Sequence, residues 1–236
     1  MKSKTIIIIP ARGGSKRIPR KNIKSFLGKP IIKYSIDAAL KAKIFDEVMV
    51  STDDEEVASI AKSFGAKVPF LRSKATSGDL SMTAEVIEEV IKEYEKLGQK
   101  FDEFCCLYAT APFIKAKRLQ EAMKLLTKTK ADCVLPVVKF SYPIQRALRI
   151  RNGRLKMFWR ENYNKRSQDL EAAYHDCGQF FCMKTSSLMR QKIKQKIVLT
   201  GKVIPLEIPE EEVQDIDNIE DWHVAETKYK LLRHNE

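Results

Sequence analysis

Two short stretches of this chain carry side chains that could do chemistry together. The first is PARGGSKRIPRKN, residues 10–22, where two glycines precede Lys16, Arg17, Arg20 and Lys21. Gly13 and Gly14 permit backbone angles that other residues resist and let main-chain N–H groups turn towards an anion. The four cations bring charge to the same place, so the stretch could cradle a polyphosphate. Its competing reading is a glycine turn with a solvated basic loop. The familiar phosphate motifs are missing, since the chain has neither GxxxxGK[ST] nor GxGxxG. The second stretch is QDIDNIED, residues 214–221. Asp215 and Asp217 alternate by two, which on an extended segment points both carboxylates to one side. Such a pair, joined by phosphate oxygens, suits Mg2+. The alternative is structural: Asp217 with Glu220 three residues later resembles a capping box at a helix start.

Charge and composition narrow the partners. The 236 residues carry a formal net charge of +12, which favours anionic ligands. The lysines are scattered over segments such as 115–130 rather than gathered in one stripe, and no RNA-binding or helix-turn-helix signature is present. A small polyphosphate substrate is therefore expected, with no nucleic acid. No apolar run approaches the ~18 residues of a membrane span. The run Ile6 to Ile9 is too brief for a secretory leader. No membrane partner is expected, and the expected location is cytoplasmic. Five cysteines include no CxxC pair, and Cys105 and Cys106 sit in an apolar stretch, so buried free thiols are expected rather than zinc or disulfides.

The elements that must position these residues alternate along the chain. Apolar strands are predicted at 5–10, 47–52, 66–71, 103–109 and 132–140. Helices are predicted at 30–42, after an N-cap at Asp53 and up to Gly65, at 83–97, from Pro112 to 127, and at 218–232. Strands apolar throughout, alternating with helices, indicate an α/β three-layer sandwich with a mostly parallel sheet, Rossmann-like in plan. The rhythm breaks after Phe140. Residues 146–151 and 154–159 flank Asn-Gly as a β-hairpin, a polar irregular stretch follows, and a strand returns at 178–184. The reading is a single domain, residues 1–236, with an inserted arm at 140–178. In such sheets ligands sit beyond the carboxyl ends of the strands, which makes the turn after the first strand a place for chemistry.

PARGGSKRIPRKN resembles the first motif of the cytidylyltransferases that activate nine-carbon acidic sugars. The likeness continues through VSTDDEEVASIAKSFGA, FLR at 70–72, LYATAP at 107–112 and QDIDNIEDW, nearly the whole chain. FSYPIQRAL and RSQDLEAAYHDCGQFF are most similar to the pseudaminic acid branch of that family. The sialic acid branch usually has glutamine where Ala109 stands and an Arg-Pro-Asn-Gly string near YHDCG. Cys177 and Cys182 depart from what the pseudaminate branch is expected to carry.

The resemblance implies a nucleotide-diphospho-sugar transferase fold and a Mg2+-dependent reaction. The anomeric hydroxyl of a nonulosonic acid would attack the α-phosphate of CTP, releasing pyrophosphate. Lys16 and Lys21, with Ser15, Asn22 and the amides of Gly13 and Gly14, would hold the β- and γ-phosphates, and Arg12 would lie at the nucleotide. Arg72, Ser81 and Thr83 would help recognise cytosine and ribose. Asp215 and Asp217 would hold the metal, which would bridge phosphate oxygens and acidify the attacking hydroxyl. The base stays open among Asp217, a metal-bound hydroxide and His175. Gln145, Arg146, Arg166, Asp169, His175 and Gln179 are the wider sugar candidates. Lys21, Arg12 and Asp217 are the residues on which catalysis is expected to depend. Legionaminate and N-acetylneuraminate are the alternative acceptors. The resemblance also implies a homodimer in which the arm completes a partner's sugar pocket, and a role in bacterial surface-glycan or flagellin glycosylation.

Overall fold

The computed structural model describes residues 3–190 and 201–234. The chain starts with β1 (Thr5–Pro10), passes the basic loop into a small hairpin, β2 (Ser25–Phe26) and β3 (Lys29–Pro30), and enters α1 (Ile32–Ala42). Next come β4 (Glu47–Ser51), α2 (Glu55–Ser63), α3 (Thr83–Lys96), β5 (Glu103–Leu107), α4 (Ala116–Thr129) and β6 (Cys133–Lys139). A separate hairpin follows, β7 (Leu148–Arg151) and β8 (Arg154–Met157). The chain then adds β9 (Tyr174–Asp176), β10 (Phe180–Lys184), α5 (Thr185–Met189), β11 (Val203–Glu207) and α6 (Ile219–His234).

The central sheet runs β11-β6-β10-β5-β1-β4, with β9 pairing the end of β6. β1 is parallel to β4 and β5, and β6 is parallel to β11. β10 lies between β5 and β6 and is antiparallel to both. Strand alternation divides β1 between two layers. Ile7 and Ile9 pack with residues of α1, α2 and α4, while Ile6 and Ile8 pack with α3. That division explains why β1 is apolar without a break from Ile6 to Ile9.

Several expectations change in detail. Residues 66–71 form no strand; Met49 and Lys67 make an isolated parallel bridge. The cap of α2 is Asp54, whose side chain accepts from Val57 N, and not Asp53. Asp53 instead accepts from Gly13 N at 2.9 Å and so braces the basic loop. The first helix begins at Ile32 because Lys29–Pro30 pairs with Ser25–Phe26. The arm hairpin forms as expected, with Asn152 and Gly153 both at positive φ (53° and 68°), the backbone a tight two-residue turn needs. All five cysteines are buried free thiols, as expected.

A third apolar cluster stands apart from the sheet and joins the two ends of the chain. Ile18 from the basic loop, Phe26, Ile31, Phe113, Ile216, Trp222 and Ala225 are buried in it. The Phe26 ring meets Tyr34, Trp222 and Tyr229 edge-on at 5.4, 5.6 and 5.7 Å between centroids. Such geometry suits the ring quadrupoles and adds to the gain from burial. Phe26→Ala should lower unfolding free energy by about 3–5 kcal/mol. Denaturant unfolding checks this, and a loss below about 1 kcal/mol would mean the cluster does not bear on stability.

Candidate active site

Beyond the carboxyl ends of β1, β4 and β5 opens a cleft of about 690 Å³. The basic loop contributes Arg12, Ser15, Lys16, Arg17, Lys21 and Asn22 to its wall. Arg72, Ser81 and Thr83 come from the segment after β4 and the start of α3, and Asp215 and Asp217 from the segment before α6. Residues nearly two hundred positions apart therefore face one space, the arrangement on which a shared phosphate-and-metal site depends.

Each side chain has a traceable support. Lys21 is pinned where Nζ donates to Ile216 O at 2.7 Å, and it lies 3.9 Å from Asp217 Oδ1. Burial pulls its pKa below the usual lysine value, with the Asp217 charge acting against that shift. Arg17 pairs with Asp217 at 2.8 Å. Asn22 donates to Arg12 O at 2.9 Å and holds the loop closed on itself. Arg72 is buried against the end of β4, with Nε donating to Ser51 Oγ at 3.1 Å and Nη2 to Ser51 O. Loss of solvent lowers its pKa. Burial pushes the Tyr108 phenol up, with Thr83 acting against that shift.

The glycines work differently from the sequence expectation. Neither Gly13 nor Gly14 has positive φ. Gly13 is required by close approach, because a Cβ there would lie 2.5 Å from Asp54 Oδ2. Arg20 also leaves the group of cations to which the sequence reading assigned it. It pairs with Asp54 and Glu56, tying the loop to α2, and does not line the cleft.

The last helix resolves its own ambiguity. Asn218, one residue beyond the expected position, is the cap: its Oδ1 accepts from Asp221 N at 2.9 Å. Asp221 Oδ2 accepts in return from the backbone N of Asp217 and Asn218, at 2.9 and 3.0 Å. This reciprocal box leaves the carboxylates of Asp215 and Asp217 free of capping and turned to the cleft. The surrounding protein strips solvent from Asp215 and raises its pKa, and the Asp217 charge raises it further. Two carboxylates that repel each other are the charge pattern a cation relieves, so the donor set fits a hard divalent ion. Among the described residues no group of three or more His, Cys, Asp or Glu could cage a metal. Substrate oxygens would have to complete the shell, as is usual for Mg2+.

The segment that carries this pair is fastened from three sides. Glu212 accepts from Arg118 at 2.7 and 3.2 Å and lies 3.5 Å from Lys115. Gln179 Nε2 donates to Glu212 O at 2.7 Å, and Lys228 Nζ to Glu210 O and Val213 O, each at 2.7 Å.

The sugar candidates are placed otherwise. Gln145, Arg146, Arg166, Asp169, His175 and Gln179 do not line the cleft of this chain. Gln145 Nε2 donates to Glu171 O at 2.7 Å, Arg146 Nη1 lies 3.2 Å from Ser167 Oγ, and Arg166 is closed on Asp169 at 2.9 Å. His175 packs on Phe140 at 4.8 Å, with Nδ1 donating to Asp176 O at 2.8 Å in the tautomer that bond requires. Four polar side chains of the cleft escaped sequence reasoning: Asp79, Tyr108, Thr110 and Asp176. Tyr108 and Thr110 were findable, because they directly follow a parallel strand at its carboxyl end. Nothing local marks Asp79, which lies on a loop and bridges Arg12 at 2.7 Å and Lys16.

With this geometry in view, similarity becomes decisive. A profile of the cytidylyltransferase family matches residues 6–203. This chain belongs to the cytidylyltransferase family. Over 229 residues the cytidylyltransferase is 42% identical to a pseudaminic acid cytidylyltransferase of Campylobacter jejuni, covering 97% of each chain. It is 34% identical over 237 residues to N-acylneuraminate cytidylyltransferase A of Danio rerio, covering 94% of this chain and 50% of that one. In fold it is similar to a CMP:2-keto-3-deoxy-manno-octonic acid synthetase solved with CTP. The TM-score is 0.71 at 18% identity, with 98% of this chain and all of that one covered.

Two measurements test this account of the cytidylyltransferase cleft. Arg12 and Lys16, the cations expected to bind the triphosphate, are paired with Asp79, so Asp79→Asn should lower the CTP KM roughly two- to fivefold at low salt, the gain shrinking as salt screens the pairs. An unchanged KM at every ionic strength would show no competition. The Arg118 hydrogen bonds hold the Glu212 carboxyl below its ordinary value of 4.5. A depressed carboxylate stabilises the fold above that value and loses the contribution as pH falls through its lower folded value. Glu212→Gln should therefore melt lower than wild type at about pH 6 and lose less Tm on going to about pH 3. Parallel curves would remove Glu212 from the acid response.

Proposed function

We propose that this cytidylyltransferase converts CTP and pseudaminic acid to CMP-pseudaminic acid and pyrophosphate. The observation that carries the reading is the convergence of Lys21 and Arg17 with Asp215 and Asp217 in one cleft. The 42% identical relative, which carries that activity in its name, supplies the sugar.

Lys16 and Lys21, with Ser15 and the amide of Gly14, hold the β- and γ-phosphates, while the Gly13 amide stays with Asp53. Their charge offsets what builds on the leaving pyrophosphate, and most of the catalysis is alignment and electrostatics of this kind. Asn22 keeps the loop in shape by holding Arg12 O. Arg12 binds the nucleotide phosphates once released from Asp79, and Arg72, Ser81 and Thr83 take cytosine and ribose. Asp215 and Asp217 would hold Mg2+, which would supply Lewis-acid stabilisation of the charge on the reacting phosphate. Arg17 then leaves Asp217 and turns to phosphate, an exchange of one anion for another.

The arm belongs to the same proposal. It exposes Tyr142, Ile150 and Leu155 at 69, 77 and 68%. A row of large apolar side chains in water favours a protein partner. A homodimer places the arm over a partner's cleft, where Gln145, Arg146, Arg166, Asp169 and His175 contribute to the sugar pocket; Gln179, buried and bonded to Glu212 O, supports its own chain instead. The location is cytoplasmic, and the product serves bacterial surface-glycan or flagellin glycosylation.

Pyrophosphate release from CTP, compared across pseudaminate, legionaminate and N-acetylneuraminate, tests the reading. Pseudaminate should give the highest kcat/KM. Asp217→Asn and Lys21→Ala should each cut kcat/KM by about 10²-fold or more. Preference for another acid would reassign the acceptor. Near-native rates in both variants would remove the cleft from the chemistry.

A further inference from the structure

The cleft holds a fourth carboxylate with no assigned task. Asp79, Asp215, Asp217 and Asp176 all line it. Asp79 is engaged at the nucleotide end by Arg12 and Lys16. Asp217 is engaged by Arg17, and with Asp215 it forms the pair suited to a cation. A carboxylate that lends its lone pairs to a metal or guanidinium is a weakened proton acceptor. Asp176 pairs with no cation among the described residues. Among the described residues the one hydrogen bond of its carboxylate is Oδ1 accepting from Gly178 N at 2.9 Å, which leaves Oδ2 for a ligand.

Strand geometry selects Asp176 over its neighbour. β9 pairs with the end of β6, Val137 opposite Asp176 and Val138 opposite His175. Successive side chains on a strand point to opposite faces. His175 takes the face occupied by the Phe140 ring, and Asp176 takes the cleft. The turn that follows then sets its depth. Gly178 has φ +65°, and a Cβ on it would stand 3.4 Å from Asp215 Cγ. Asp176 and Asp215 thus flank one glycine in the wall of the cleft.

We propose that Asp176 is a catalytic residue that receives the attacking hydroxyl of the acceptor. This rests on the reading above, that the cleft transfers a cytidylyl group to a sugar hydroxyl. The hydroxyl donates a hydrogen bond to Oδ2. In the transfer its O–H bond breaks and the proton passes to the carboxylate. The oxygen lone pair forms the new bond to the α-phosphorus, and the bond from phosphorus to the bridging oxygen breaks. Pyrophosphate leaves with that electron pair. The acceptor lies with a hydroxyl towards Asp176 and with its own carboxylate away, since two anions at hydrogen-bond distance repel.

Asparagine separates the chemical role from the structural one. Asp176→Asn keeps an oxygen to accept from Gly178 N and removes only the charge. The expected result is a kcat lowered about 10²–10⁴-fold, the usual range for a lost general base. CTP affinity, measured by calorimetry with Mg2+ present, should stay within about twofold of wild type. A fall in kcat of less than about tenfold overturns the proposal. A loss of CTP affinity that matches the loss of turnover overturns it too, because the residue then serves the nucleotide. If the asparagine variant does not fold, Asp176→Ser retains an acceptor for the turn, and the same two readouts decide. Wild-type turnover of the three acids is measured first. Failure there counts against the cytidylyl-transfer reading, whereas normal wild-type turnover with an unimpaired variant counts against Asp176 alone.

Discussion

Everything in the cleft depends on one apolar contact outside it. Ile18, in the middle of the basic loop, and Ile216, between the two carboxylates, are buried in the same cluster around Phe26 and Trp222. Neither residue does chemistry. Each fixes its polar neighbours, because a buried isoleucine has one well-packed position, whereas a lysine or aspartate in water has many. The distance between the cations and the carboxylates is thus set by hydrophobic packing. The Arg17–Asp217 pair between them is exposed and too weak to hold two chain segments by itself, and the less exposed Lys21 adds its hydrogen bond to Ile216 O.

Four cations of the cleft meet carboxylates of the same cleft. Arg12 and Lys16 meet Asp79, while Arg17 and Lys21 meet Asp217. In the proposed reaction the triphosphate takes over the cations and a divalent ion takes over the carboxylates. Each exchange replaces one charge partner by another, so the loop need not pass through a state of bare like charges. This also bears on the net charge of +12, which raises the local concentration of an anionic substrate.

The arm illustrates where sequence patterning loses its hold. Its hairpin was legible from Asn-Gly between two short runs, and the turn has the left-handed backbone those residues favour. Its polar side chains were legible only as candidates. Arg166 closes on Asp169 and His175 packs on Phe140, contacts that depend on how an irregular chain folds over itself. Asp176 was hidden for a related reason. In YHD a strand must send one residue to the cleft and its neighbour away, and the side follows from pairing with β6, which sequence does not specify.

What the sequence determined by itself is the alternation of apolar strands and amphipathic helices, the basic glycine loop after β1, and the acidic pair before α6. These follow from local periodicity, from charge and from the backbone preferences of single residues, all of which act within a few positions. Tertiary structure decided the antiparallel insertion of β10 between β5 and β6 and the dismissal of Arg20 to α2. It also placed the helix cap on Asn218, which frees Asp217, and brought Asp79 and Asp176 into the cleft. Each of these depends on a partner far along the chain: Asp54 and Glu56 for Arg20, Arg12 and Lys16 for Asp79, β6 for Asp176. Packing in three dimensions chooses such partners, and no short window of sequence contains them.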